Sequence, residues 1–341
     1  MAKKDMIIDL RNDSVTKPSL GMLEHMMLAK VGDDMYGEDP TVVELEKRIA
    51  KMFGHEAAMY CVSGTMANQI AINVNTNPGD EIILAKDSYI YQFEGGGTAY
   101  NSQVAMRPLD GDHGRMSPIT IADNINPGDI RYTRTSMIAL EHTVTSGGGA
   151  LYLQESMEQI SLIAKENNIK MHLDGARVFN AIVKSGVKPE EIGVYFDTIT
   201  VCFSKGLGAP MGGALLGSKG TIARARRMRK ILGGGMRQVG YLAAAALYAL
   251  DKNIKRLEID HKRAYELANI FEDKDYIENI LAAGTNIVIL TIDPKVSVHE
   301  MLRDWNAKGI KALPYGKNEI RLVTHMDFTD DMLMKMRDSL V

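Results

Sequence analysis

At about 150 residues per domain, a chain of 341 residues has the length for two domains and a sizeable core. Hydrophobic residues make up 45% and charged residues 24%, close to the average for soluble folded proteins, which excludes a disordered or fibrous chain. Lys plus Arg number 40 against 43 Asp plus Glu, a net charge of −3, so no global field draws in nucleic acid or an anionic membrane, and any anion must be held locally. Two cysteines, Cys61 and Cys202, are too sparse for a disulfide framework or a zinc module and imply a reducing, cytoplasmic setting. The opening MAKKDMIIDLRNDS lacks an apolar signal core, and no apolar run approaches the ~18 residues that span a bilayer, so a soluble, unexported protein is expected.

In chain order, helical spacing of apolar residues predicts helices over Thr41 to Phe53 and Met66 to Asn75, followed by a short apolar strand at Glu81 to Leu84. Further strands are expected at Ser136 to Leu140, Ile169 to Leu173 and Thr198 to Phe203, with a helix at Glu155 to Asn167. Such alternation implies an α/β architecture, a mostly parallel sheet with helices on both faces. The Ala-rich run Val239 to Leu250 is apolar almost all round and reads as a buried helix. A charged helix follows, Asp251 to Phe271, then a strand Asn286 to Ile292, a helix Val298 to Lys308 and a strand Glu319 to Thr324. This division predicts a large domain over 1–250, with an N-terminal arm over 1–40, and a small α+β domain over 251–341.

The chemistry concentrates between Lys170 and Gly217. The strand-like KMHL runs into Asp174 of DGAR, and TITVCF runs into Ser204 and Lys205 of SKGLGAPMGG. Both sites lie at the carboxyl ends of strands, where α/β sheets place their ligands, and neighbouring strands would bring acid and amine together. Pyridoxal phosphate asks for that pair: a lysine amine to carry it and an acid to keep its pyridine nitrogen protonated. Ser63, Gly64 and Thr65 open a predicted helix, whose free N–H groups and positive dipole end suit a phosphate. Taken singly, each of these residues reads equally well as a solvated lysine, a helix cap or a turn.

Taken together, LRNDSVTKP, VGDDMYGEDPT, SGTMANQ, DGARVFNA, SKGLGAPMGG, GGGMRQ and EIRLVTH resemble, in order and spacing, the threonine aldolase family of pyridoxal-phosphate enzymes. The resemblance covers nearly the whole chain and implies the fold type I (aspartate aminotransferase-like) architecture with a seven-stranded-type sheet. It implies that Lys205 is the Schiff-base lysine, Asp174 the pyridinium partner, Ser63, Gly64 and Thr65 the phosphate cup with Ser204 beside it, and that Arg177 and Arg321 grip the substrate carboxylate. It also implies that Arg237 of GGGMRQ and Tyr36 of the YGED motif reach a neighbouring subunit's site, and hence a homo-oligomer, a dimer or homotetramer. A planar guanidinium that never titrates away suits an α-carboxylate. The remaining basic residues from Arg224 to Lys230 read as a solvated helix face. The acids Asp33, Asp34, Glu38 and Asp39 read as caps and solvated charges rather than a metal site.

Three positions depart from the family pattern. Tyr89 stands where a histidine usually stacks on the cofactor ring, Val144 replaces a second histidine, and Asn12 replaces a serine near the carboxylate. Retro-aldol cleavage needs a base for the β-hydroxyl proton, a task for which histidine is suited and a phenol of pKa about 10 is not. His142, two residues before Val144 on an extended chain, reads equally as the substitute base or as a hydrogen-bonded packing histidine. The resemblance thus implies cleavage of threonine-like amino acids to glycine and an aldehyde. The departures leave open a racemase or β-eliminating lyase, whose Cα-proton chemistry needs only the released Lys205.

Overall fold

A computed structural model describes residues 6–340. The first five residues of the expected N-terminal arm and Val341 lie outside that range. The strands are β1 (Ile8–Asp9), β2 (Ala57–Cys61), β3 (Glu81–Ala85), β4 (Ala105–Leu109), β5 (Thr135–Glu141), β6 (Lys170–Gly175), β7 (Thr198–Cys202), β8 (Gly213–Gly217), β9 (Ile277–Leu281), β10 (Ile287–Ile292), β11 (Ile310–Lys311), β12 (Leu313–Tyr315) and β13 (Glu319–Val323). Seven of them form one sheet in the order β2-β8-β7-β6-β5-β3-β4. Only β8 runs against its neighbours, and the strands from β7 through β4 are parallel. Strands β3, β5, β7 and β8 are buried along their whole length, as strands covered on both faces must be.

Four helices matter for the site: α1 (Leu20–Met27), α2 (Pro40–Met52), α3 (Gly64–Asn75) and α4 (Tyr89–Phe93). Ser63 begins α3 by accepting the Met66 N–H at 3.1 Å, and Asp39 caps α2 through the N–H groups of Thr41 and Val42. The Ala-rich helix Gly240–Lys252 is buried against α1 and α2, as its composition implied. The expected charged helix is shorter at its start and runs Leu257–Asn269, because Asp251 and Lys252 complete the preceding helix and Asn253 turns to donate to the Leu207 carbonyl at 2.8 Å.

The second sheet is antiparallel, in the order β12-β13-β10-β9, over a core of its own that includes Val288, Leu290, Trp305, Ile320 and Leu322. Ile8 and Leu10 of the expected arm belong to this second core, and β1 pairs parallel with β11. Burial of two large aliphatic side chains outweighs sequence proximity. The expected solvated face over residues 224–230 also breaks at Arg229, which is buried and paired with the buried Asp34 at 2.6 Å.

Candidate active site

Strand register brings the candidate residues together. Asp174 lies beside Thr200 across β6 and β7 and beside Glu141 across β6 and β5, all at the carboxyl edge of the sheet. Lys205 follows β7, and its Nζ lies 5.5 Å from the centre of the Tyr89 ring, which caps the same edge from the start of α4. The Tyr89 N–H donates to Glu141 Oε2 at 2.9 Å, fixing the ring over the lysine. Burial, reinforced by Glu94, raises the Tyr89 phenol above its usual range.

Asp174 is almost fully buried. Its Oδ2 accepts from Asn68 Nδ2 at 2.9 Å and its Oδ1 from the Ala176 N–H at 3.1 Å. Behind Asn68, one chain of hydrogen bonds has a single consistent direction. Asn75 donates to Thr198 Oγ1, Thr198 to His172 Nδ1, and His172 Nε2 to Asn68 Oδ1 at 3.1 Å, leaving both amide hydrogens of Asn68 for acids. Burial pulls His172 down to about 3, so its ring stays neutral and this polarity is maintained. The second acid is Glu94, at 3.0 Å from the same Asn68 nitrogen.

The two arginines expected to share a carboxylate differ sharply. Arg177 is buried and already held by Asp13, with Nε to Oδ2 at 2.8 Å and Nη2 to Oδ1 at 2.7 Å, besides bonds to Asn12 and Thr145. Burial opposes the charge on Asp13, but Arg177 prevails and holds its carboxyl at about 2. Arg321, on β13, has no acid within ion-pair distance among the described residues. Its guanidinium lies 5.1 Å from the centre of the Tyr315 ring, and its Nε is buried without a hydrogen-bond partner. Burial and the neighbouring Arg177 both lower its pKa, the signature of a cation awaiting an anion.

His142, the candidate base, lies in the core beside Tyr152. The ring is fully buried, 6.4 Å from the Tyr152 ring centre, and its Nδ1 accepts the Tyr152 N–H at 3.2 Å. Burial drags it down to about 4, which disfavours the charged ring. Val144 is core as well, at 1% exposure. Arg237 and Tyr36 stand apart from Lys205: both are exposed, and Arg237 pairs with Asp33 and contacts Tyr36.

The chain matches the model of the beta-eliminating lyase family over residues 9–294. It belongs to that family. It is 40% identical over 330 residues to a probable low-specificity L-threonine aldolase 2 of Arabidopsis thaliana, covering 95% of this chain and 93% of that one. It is 38% identical over 333 residues to the low specificity L-threonine aldolase of Escherichia coli K12, covering 97% of each. Among solved structures, Leishmania major threonine aldolase superposes with a TM-score of 0.83 at 20% identity over 98% of both chains. A putative L-allo-threonine aldolase of Listeria monocytogenes gives 0.81 at 22% identity, covering 99% of this chain and 96% of that one. The fold is therefore that of fold type I pyridoxal-phosphate enzymes.

The residues present fit pyridoxal phosphate. Ser63 consumes the Met66 and Ala67 N–H groups, so those of Gly64 and Thr65 remain free at the start of α3 for a phosphate. Gly213 passes so close that an added Cβ would lie 2.6 Å from the Val201 carbonyl and 3.4 Å from the Gly64 N–H, keeping that turn open. Several site residues escaped the sequence reading: Asp13, Asn68, Glu94, Glu141, Thr145 and Tyr315. Asp13 and Asn68 lie inside quoted motifs and Glu141 directly follows a predicted strand, but partners distant in sequence reveal their roles.

Proposed function

We propose that this pyridoxal-phosphate-dependent lyase cleaves β-hydroxy-α-amino acids, L-threonine and L-allo-threonine among them, to glycine and an aldehyde. The observation that carries the reading is Arg321: a largely enclosed guanidinium with no acid of its own, beside a lysine–aspartate pair, asks for the carboxylate of an amino acid. Lys205 would hold the cofactor, Asp174 would keep its ring nitrogen protonated, Ser63, Gly64, Thr65 and Ser204 would bind its phosphate, and Tyr89 would stack on its ring. The bound cofactor supplies an electron sink for the pair left at Cα.

The protein's own groups do the rest. Arg321 and Asn12 orient the carboxylate, while Arg177, neutralised by Asp13, fixes Asn12 from behind at 3.0 Å. Tyr89, uncharged because burial raises its phenol, offers the β-hydroxyl a hydrogen bond. The Lys205 amine, freed from the cofactor by the substrate, would take the β-hydroxyl proton as the Cα–Cβ bond breaks and return it to Cα to complete glycine. A second reading, racemisation or β-elimination through that same lysine, is favoured by one observation: a phenol, not an imidazole, faces Lys205.

Incubation with L-threonine and L-allo-threonine tests the choice. Glycine and acetaldehyde in equal amounts support the aldolase, whereas a D-amino acid, or a 2-oxo acid with ammonia, supports the second reading.

The same reading makes the active unit a homo-oligomer, a dimer or tetramer, in which Tyr36 and Arg237 complete a neighbour's phosphate site. Their exposure, with that of Leu20 and Met27 on α1, supports it. No helix among the described residues is long and apolar enough to cross a membrane, and the two buried, unpaired cysteines suit the cytoplasm. The division near residue 250, with residues 8–10 joining the small domain, is part of the same proposal.

A further inference from the structure

Glu94 ends α4 and is 7% exposed, yet it takes part in no ion pair among the described residues. Its Oε1 accepts from Asn68 at 3.0 Å and its Oε2 from Gln69 at 2.6 Å, while the Thr65 hydroxyl approaches on the remaining side. Asn68 and Gln69 are both locked as donors: His172 fixes the amide oxygen of the first, and Asn101 that of the second at 3.2 Å. With both amides held as donors, the Thr65 hydroxyl beside the phosphate cup is a neighbour that can accept a proton from Glu94. The groups facing Glu94 are Thr65, Asn68 and Gln69 of α3, Asp174 of β6, and Tyr89 of α4, so the charged group named beside it among the described residues is another acid.

We propose that Glu94 is the proton-uptake site of cofactor binding: entry of the cofactor phosphate at Gly64 and Thr65 makes Glu94 take a proton from solvent and donate it at the Thr65 side. A phosphate dianion beside an ionised Glu94 and Asp174 would otherwise bring the negative charges at this buried cluster from two to four, with no ion pair to Glu94 among the described residues. Burial and Asp174 already push the carboxyl up to about 7 before any phosphate arrives, so a physiological proton suffices. The inference rests on the placement of the phosphate described above, and it assigns Glu94 to positioning and charge rather than to the reacting atoms.

The test is the dissociation constant of pyridoxal phosphate from the apoprotein, followed by absorbance and fluorescence between about pH 6 and about pH 9, for wild type, Glu94→Gln and Glu94→Asp. Ionisation of Glu94 weakens binding, so above about pH 7 the wild-type constant rises relative to that of Glu94→Gln, toward about tenfold per pH unit. Glu94→Asp, which keeps a carboxyl, keeps that dependence. A ratio of wild type to Glu94→Gln that stays constant across the range overturns the proposal. If Glu94→Gln does not fold, Glu94→Ala takes its place in the same comparison, and a ratio that stays constant across the range overturns the proposal as before. Failure of the wild type to bind the cofactor at any pH removes the underlying site reading instead, a distinct result.

Discussion

Replacing Arg321 by Met separates a charge held for the substrate from a charge held for the fold. In the ligand-free protein Arg321 has no acidic partner, faces the cationic Arg177, and leaves its Nε unbonded. Removing it discards a cation–π contact with Tyr315, a gain of about 0.5–2 kcal/mol, together with a comparable cost of desolvation and repulsion. Met keeps an apolar stem against the ring. Apoprotein stability, read as the urea midpoint, is therefore expected within about 1 kcal/mol of wild type. Substrate binding has no such compensation: each charge-assisted hydrogen bond to the carboxylate is worth about 1.5–3 kcal/mol, so KM for L-threonine rises by about 10–150-fold. The absorbance of the bound cofactor stays unchanged. A loss of apoprotein stability by about 3 kcal/mol or more, with KM unaffected, would refute the reasoning and mark Arg321 as structural.

Asp13 is the opposite case. Asp13→Asn strands the buried Arg177, and a stability loss of about 3–5 kcal/mol in urea is expected. Its pH signature follows from the same pair: the folded carboxyl, at about 2, lies below its ordinary 3.8, so the stabilisation is complete above pH 3.8 and disappears as pH falls through about 2. In acid titrations, wild type and Asp13→Asn should converge over that window; parallel curves would contradict it. His142→Phe, at a packing position, should leave the cleavage rate within a few-fold of wild type while lowering the melting temperature, and abolished turnover would return the histidine to the mechanism. Tyr89→His places an imidazole over Lys205, so kcat for cleavage should rise and acquire a pH dependence near 6.5; an unchanged rate would show that the β-hydroxyl proton goes elsewhere.

Much of the architecture could be read from local sequence. The helices α2 and α3, the strands β3, β5, β6 and β7, and the placement of Asp174 and Lys205 at strand ends follow from periodicity and caps acting over one or two turns. The motifs also carried the family, because seven short patterns in a fixed order specify more than any one of them. Tertiary structure alone decided how charges pair across distance. Arg177 and Asp13 stand 164 residues apart, and Asn68 and Asp174 stand 106 apart. No spacing rule predicts that the first arginine is satisfied by the protein while Arg321 is left for a ligand. Likewise, the two-residue periodicity that grouped His142 with Val144 says nothing of depth, and the assembled fold buries the ring against Tyr152. Local pattern sets which elements form. The destination of a buried charge or ring depends on desolvation, which only the assembled neighbours determine.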